Sequence, residues 1–512
     1  MVCYQLNCPS LSPWHNYLFL GANYSHLNLL NKLFKQTAIY GLATVFPRML
    51  SFLLLPFHTD ILQTADYGQL SVIYAWFAIF NVFLAYGMET AFFRFYNGTD
   101  NKSKVNSTSL LSVLITSLAF MVIALLLQNS IAKATDISPH YLRYAILILT
   151  LDALVIIPFA WLRANEKPIR YAVVKILNVV VNLGLNVFFL YLLPRMAETN
   201  PDGLLNSIYK PNFEISYIFI ANLIASALTL LLMLQLYLKT KYVFDKVLWK
   251  KMMKYAMPVL VAGVAFTINE VFDRILLEKL LPEDVADSEV GMYSACYKLA
   301  LFMTLFATAF RMGIEPFFFS HSNTENPQKA YAQITNYFVV LGSVILLGVV
   351  VFADVLKELF VRDPKYWEAM NIVPIIILAS FFLGIYHNLS VWYKVTDRTK
   401  FGAYISMIGA TLTIIINFVF IPHFGYMASA IATLVAYGTM MTLSFVFGRM
   451  YYPIPYNFRK ITFYLLISIL FSVLSFYVLN RNLYYGIPLL LIFLGMVYKL
   501  ENDNLRKIFL KK

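Results

Sequence analysis

Charge is scarce in this sequence. Asp, Glu, Lys and Arg make up 13% of its 512 residues, about half the roughly 25% usual in soluble domains. A disordered chain would need the opposite balance, with many charged and few apolar residues. Cysteine is scarcer still, at three, which excludes a disulfide-stapled scaffold. Cys3 and Cys8 have no second pair or histidine partner to complete a metal site, and Cys296 lies in an apolar run. No metal or cofactor is expected. The sequence also lacks G-x-x-x-x-G-K-[ST], HExxH and CxxC, so it offers no phosphate-binding loop, zinc-protease helix or thiol pair. Acids are fewer than bases, 27 against 40, for a net charge of +13. Charge this sparse cannot tile a phosphate-binding face, so the excess does not imply a nucleic-acid partner.

What is present is apolar. Hydrophobic residues make up 60% of the chain and aromatics 16%. Fourteen runs approach the roughly 20 residues that a membrane helix needs, from 36–58 at the start to 484–498 at the end. They are continuous, as in Leu110–Leu127 and Ile218–Leu238, whereas barrel strands would alternate. The expected fold class is an all-α polytopic membrane protein. Residues 1–30 have no basic n-region and only a short apolar piece, Tyr17–Ala22, so they read as an N-terminal extension rather than a signal peptide.

The net charge has a pattern. With the N-terminus placed inside, 27 Lys and Arg fall on the inner side, 9 on the outer and 4 within spans. The positive-inside rule then puts both termini in the cytoplasm. The acids divide as 8, 15 and 4.

The chain also repeats itself. Trp161-Leu-Arg163 recurs 231 residues later as Trp392-Tyr-Lys394, and Asn186-Val-Phe-Phe189 as Asn417-Phe-Val-Phe420. Tyr67-Gly68 and Val290-Gly291 open equivalent spans. Six spans per copy is an even number, so the copies are parallel repeats with a site expected between them. This gives a lobe over 31–238, a basic linker over 239–254, a second lobe over 255–450, and two appended helices with a basic tail over 451–512.

Four cations and four anions lie inside spans: Arg48, Lys175, Arg274 and Lys298, with Glu89, Asp152, Glu270 and Asp273. Each costs at least about 2.5–3.5 kcal/mol on insertion scales, so each needs a cavity or a partner. Glu270 and Arg274 are spaced i, i+4 and should pair on one face. Arg48 has no acid in its own span; it needs a partner from elsewhere or an anionic ligand. Lys175, Arg274 and Lys298 are the other candidate cavity cations, with Lys175 close enough to the inner loop to snorkel. Glu89 and Asp152 balance these cations or couple an ion. Pro47 directly precedes Arg48 and should kink the first span there.

Several of these residues carry a family resemblance. Arg48, Leu55-Pro56 and Tyr67-Gly68 resemble the opening of bacterial polysaccharide-biosynthesis flippases of the O-antigen and capsule type. So do Asn269 with Asp273-Arg274, Gly291-Met-Tyr-Ser-Ala-Cys-Tyr-Lys298, Pro316-Phe-Phe-Phe319 and Asn388-Leu-Ser-Val-Trp-Tyr-Lys394. The resemblance covers about 30–500. It implies a V-shaped MATE-like fold of two six-helix lobes, a cationic central cavity and alternating access. It also implies an undecaprenyl-diphosphate-linked oligosaccharide substrate, working beside a polymerase and glycosyltransferases. The same superfamily includes the lipid II flippase and small-molecule antiporters, which stay open as alternatives. Cation extruders of this fold usually carry a carboxylate in the first span; here there is no acid between Lys35 and Asp60, and Arg48 stands instead. A membrane glycosyltransferase is the out-of-class alternative, but the longest outer loop, about 194–214, is short, and Asp60 and Asp66 are not adjacent. The expectation is a transporter, not an enzyme.

Overall fold

The computed structural model describes residues 41, 45–50, 52–320 and 326–509. Among these, thirteen helices are long and apolar enough to cross a membrane, and each falls on one of the expected spans after the first. Residues 36–40, 42–44 and 51 of the first span, the extension 1–30, Cys3 and Cys8 lie outside the described residues. The described part of that span is helical over 45–50 and resumes, after a turn at Leu53, as α1, Leu54–Ile61. The spanning helices that follow are α2 Thr64–Asn97, α3 Lys102–Leu126, α4 Pro139–Ala164, α5 Pro168–Thr199, α6 Glu214–Lys239 and α7 Lys246–Leu280. Then come α8 Glu283–Ile314, α9 Pro327–Val351, α10 Pro364–Val395, α11 Lys400–Phe424, α12 Tyr426–Tyr451, α13 Phe458–Val478 and α14 Leu483–Asn502.

The expected linker is mostly helix. Only 240–245 are non-helical, because Asp245 caps α7 by accepting from the amides of Val247 and Leu248. Hydropathy misses the first turns of α7 because Lys246, Lys250, Lys251 and Lys254 precede its apolar run.

Breaks in the helices follow from residue type. In α4, Pro158 has no N–H, so the carbonyl of Leu154 loses its helical donor. The helix breaks at Val155, and the Tyr237 hydroxyl of α6 donates to Leu154 O at 2.6 Å. In α2, Tyr86 and Gly87 are left-handed, and a Cβ on Gly87 would lie 2.5 Å from the Ala256 carbonyl of α7.

The 231-residue repeat is visible atom by atom. Glu166 and Asp397 both have positive φ, at 51° and 56°. The Lys167 amide donates to Leu162 O at 2.9 Å, and the Arg398 amide to Tyr393 O at 2.8 Å. The buried Asn186 and Asn417 each donate back four residues, to Asn182 O and Thr413 O.

Lys102, Lys167, Lys239 and Arg449 lie at one end of the bundle, the basic end; Asp66, Asp136, Glu283 and Asp287 lie at the other, the acidic end. At the acidic end α2 crosses α8 with almost no space between the backbones. A Cβ on Gly68 would lie 1.8 Å from Asp287 O, and one on Gly291 would lie 1.9 Å from Thr64 O. Each glycine faces the carbonyl four residues before the other, so the crossing is symmetric. Thr64 and Ser288 hydroxyls meet at 2.7 Å, Gln69 donates to Asp287 at 2.8 Å, and Lys279 pairs with Asp136. A large buried apolar cluster lies across this end, drawing on α2 through Tyr67 and Leu70 and on α8 through Tyr293 and Cys296. A second cluster at the basic end packs Met252 and Ala256 of α7 against Tyr86, Phe92 and Tyr96 of α2. The last two helices, α13 and α14, lie against α9.

Candidate transport site

The intramembrane charges sort into four groups. The first surrounds Glu270 on α7. It is exposed within the bundle, and the cations acting on it are Arg48, Arg274 and Arg311. Arg48 and Arg311 come from the first span and α8, so residues 222 or more positions away from Arg48 converge with it.

The second group corrects the expected Glu270–Arg274 pair. The Arg274 guanidinium bonds the neighbouring Asp273 at 3.0 Å and donates to the Glu270 backbone carbonyl at 2.7 Å, not to its carboxylate. It also lies 4.4 Å over the ring of Tyr297. Asp273 is buried and accepts from the Tyr293 hydroxyl at 2.5 Å. Tyr293 and Tyr297 on α8 draw Arg274 along the helix toward Asp273, and Glu270, one turn nearer the basic end, is left to Arg48 and Arg311.

Lys298 is the third. It opens a 3-10 turn in α8, and its ammonium lies 5.2 Å over the ring of Tyr67. It is also the charge acting on His58, which bonds Asn186 at 3.2 Å. Lys298 precedes Arg311 by thirteen residues, about 20 Å of helix. The two therefore mark different depths, with Lys298 nearer the acidic-end crossing.

The fourth group is internal to the first half of the chain. Lys175 lies 4.3 Å over Phe159, with Asp152 and Glu89 as its nearest acidic influences. Asp152 accepts from Ser226 at 2.7 Å. Glu89 is bonded by Arg163 at 2.8 Å near the basic end. No described contact joins these residues to the Glu270 group.

Asn269 proves to be a packing residue. It is 2% exposed and donates to Ala265 O and Ser406 O; Thr413 donates to its side chain and Tyr437 to its carbonyl. A polar side chain buried this deeply needs all its partners, and here they fasten α7 to α11 and α12. Its neighbour Glu270 faces a different, exposed side of α7, because successive helix residues are about 100° apart.

Two functional candidates escaped the sequence reading. Arg311 ends the apolar run of its span in sequence, yet the helix continues beyond it to Ser320. The apolar Phe317-Phe-Phe319 just beyond it is the signal that could have placed it inside. His387 on α10 is influenced by Arg311 and Lys394 and lies 6.2 Å from the Phe266 ring of α7. A neutral-looking histidine in an apolar run leaves no sequence mark.

The arrangement is a bundle with helices packed shut at its acidic end and a positively charged group on α7, α8 and the first span. Sequence-family matches place this bundle among the transporters of the multidrug, oligosaccharidyl-lipid and polysaccharide exporter superfamily. Its family follows from the sequence comparison: the profile described as "Polysaccharide biosynthesis protein" matches residues 33–319, and the chain belongs to that family. A second profile, MatE, matches residues 258–419. None of the curated proteins matches the chain by sequence. Among solved structures, the lipid II flippase MurJ in an inward closed conformation aligns with a TM-score of 0.70 at 16% identity, covering 90% of this chain and 99% of that one. An inward-facing multidrug resistance MATE family transporter aligns at 0.63 and 13% identity, covering 81% and 94%. These likenesses show the shared fold.

Proposed function

We propose that the protein moves undecaprenyl-diphosphate-linked oligosaccharide repeat units across the cytoplasmic membrane for surface polysaccharide synthesis. The observation that carries this reading is the charge arrangement around Glu270. Asp273 pairs with Arg274, while Arg48 and Arg311 act on the Glu270 carboxylate. An uncompensated cation inside a membrane protein is costly unless a ligand supplies the counter-charge. A diphosphate headgroup supplies it, and its lipid tail remains in the bilayer.

The positive-inside count puts both termini and the basic end in the cytoplasm. The headgroup then enters from the basic end, while the α2–α8 crossing keeps the acidic end shut. Lobes 31–238 and 255–450 rock about their interface; Gly68 and Gly291 separate, and the sugar leaves outside. Lys298, placed between the Glu270 group and that crossing, is the next cation on the path. An inside-negative potential favours outward movement of negative charge by about 2.3 kcal/mol per charge per 100 mV, so no nucleotide is required. Glycosyltransferases supply the substrate and a polymerase consumes it.

Fold likeness alone also accommodates lipid II. The experiment is complementation: Arg48→Ala, Arg311→Ala and Lys298→Ala are placed in strains lacking the native gene. The reading expects loss of surface polysaccharide with normal protein levels. Full polysaccharide in all three would refute the cationic site. Rescue of a strain lacking its lipid II flippase would move the substrate to lipid II.

A further inference from the structure

The basic end of the first half contains a cavity of about 550 Å³ that the transport cycle above does not use. Its cations are Lys102, Lys167, Arg170, Lys239 and Lys241, and no acidic residue lines it. Glu166, beside Lys167 in sequence, is not part of the lining. Five like charges around one concave space repel one another, and nothing in the lining offsets them.

Three features organise the cavity toward an anion. Lys102 and Ser103 begin α3, and Lys167 immediately precedes α5, so two long helices direct their positive ends at it. Arg170 is held in place by Leu232 O at 3.3 Å and Gln235 at 3.4 Å on α6. Lys167 lies 4.5 Å over Trp161 and Lys102 lies 5.4 Å over Tyr96, so aromatic walls steady two of the ammonium groups. Apolar Met233, Leu236 and Leu162 line the remainder, as suits a site at a membrane boundary.

The segment that joins the two halves forms one wall, through Lys239, Thr240 and Lys241. It is fastened to the start of α3: the Val243 amide donates to Ser107 at 2.6 Å, Asn106 donates to Thr240 at 3.3 Å, and Lys104 pairs with Asp245 at 3.1 Å.

We propose that this cavity binds the phosphate of an anionic phospholipid from the leaflet at the basic end, and so braces the inter-lobe segment against α3 and α5. The ligand chemistry is a phosphate group beside an apolar wall. Soluble phosphate shares the first part and lacks the second. The inference uses the orientation of the preceding section but not its substrate, and binding in detergent depends on neither.

The test uses the full chain, purified and stripped of lipid. Phosphatidylglycerol, phosphatidylcholine and inorganic phosphate are added separately, and retained adducts are counted by native mass spectrometry alongside thermal unfolding. The expected result is retention of, and stabilisation by, phosphatidylglycerol only, weakened by salt. In Lys167→Gln/Arg170→Gln, affinity should fall about fivefold per cation removed. Lys102→Gln/Lys241→Gln should do the same without touching the Arg170 bonds, which keeps the test valid if the first variant folds poorly. Lys102→Arg/Lys241→Arg should retain binding. Unchanged phosphatidylglycerol retention in both glutamine variants would overturn the site. Equal stabilisation by inorganic phosphate would overturn the assignment to lipid.

Discussion

Gly68→Ala should open the acidic end. A methyl at this position would lie 1.8 Å from Asp287 O, whereas carbon and carbonyl oxygen normally approach no closer than about 3.3 Å. The α2–α8 crossing must therefore widen by about 1.5 Å. A gap of that size forfeits more than half the attraction between facing atoms, and overpacking of this kind costs about 1–3 kcal/mol. The closed arrangement should lose about 5- to 150-fold in population. Alanine is the better helix former by about 1 kcal/mol, so loss of helix stability cannot produce the effect. The assay is cross-linking between Thr64→Cys and Ser288→Cys, whose native hydroxyls meet at 2.7 Å, with the three native cysteines replaced. Cross-linking should be efficient in the parent and fall steeply with Gly68→Ala or Gly291→Ala. Undiminished cross-linking in both would refute the close crossing as the acidic-end closure.

Four further outcomes are expected. Tyr237→Phe removes the donor to Leu154 O next to Pro158, leaving a buried carbonyl unsatisfied, and should cost about 1–3 kcal/mol in unfolding measurements; an unchanged transition would contradict this. Asn269→Ala should lower thermal stability, because it strands the Thr413 hydroxyl and removes the side-chain donor to Ser406 O. Arg48→Ala should abolish transport at normal stability, and the reverse pattern would exchange the two roles. The Asp245 carboxyl is held below its usual range by the Leu248 amide first and by Lys104 next. Its contribution to the inter-lobe segment is therefore present above the ordinary aspartate value and lost as pH falls through its lowered one. Amide protection at Val247 and Leu248 should weaken only in that acid range, and protection lost near neutrality would be inconsistent with it.

Much of the fold was legible because bilayer thickness sets span length. Gly68 and Gly291 were legible as repeat markers, but their role required seeing two backbones meet. The charges were found by position, and their partners were not. Arg274 pairs with its immediate neighbour Asp273 because aromatic rings on α8 draw it there, a tertiary effect that overrides i, i+4 spacing. Asn269 and Glu270 are adjacent in sequence but face opposite environments, and only the packing of α11 and α12 decides which is buried. Arg311 was missed because hydropathy ends a span at a charge, whereas the helix continues.

The central claim is that Arg48 and Arg311 around Glu270 hold the diphosphate of a lipid carrier. The most direct measurement is binding of undecaprenyl-diphosphate-linked oligosaccharide to purified protein by native mass spectrometry. The account predicts that Arg48→Ala and Arg311→Ala each weaken binding by about 1.5–3 kcal/mol, the range for a charge-assisted hydrogen bond, and that Lys175→Ala leaves it unchanged. Wild-type affinity in both arginine variants would contradict it.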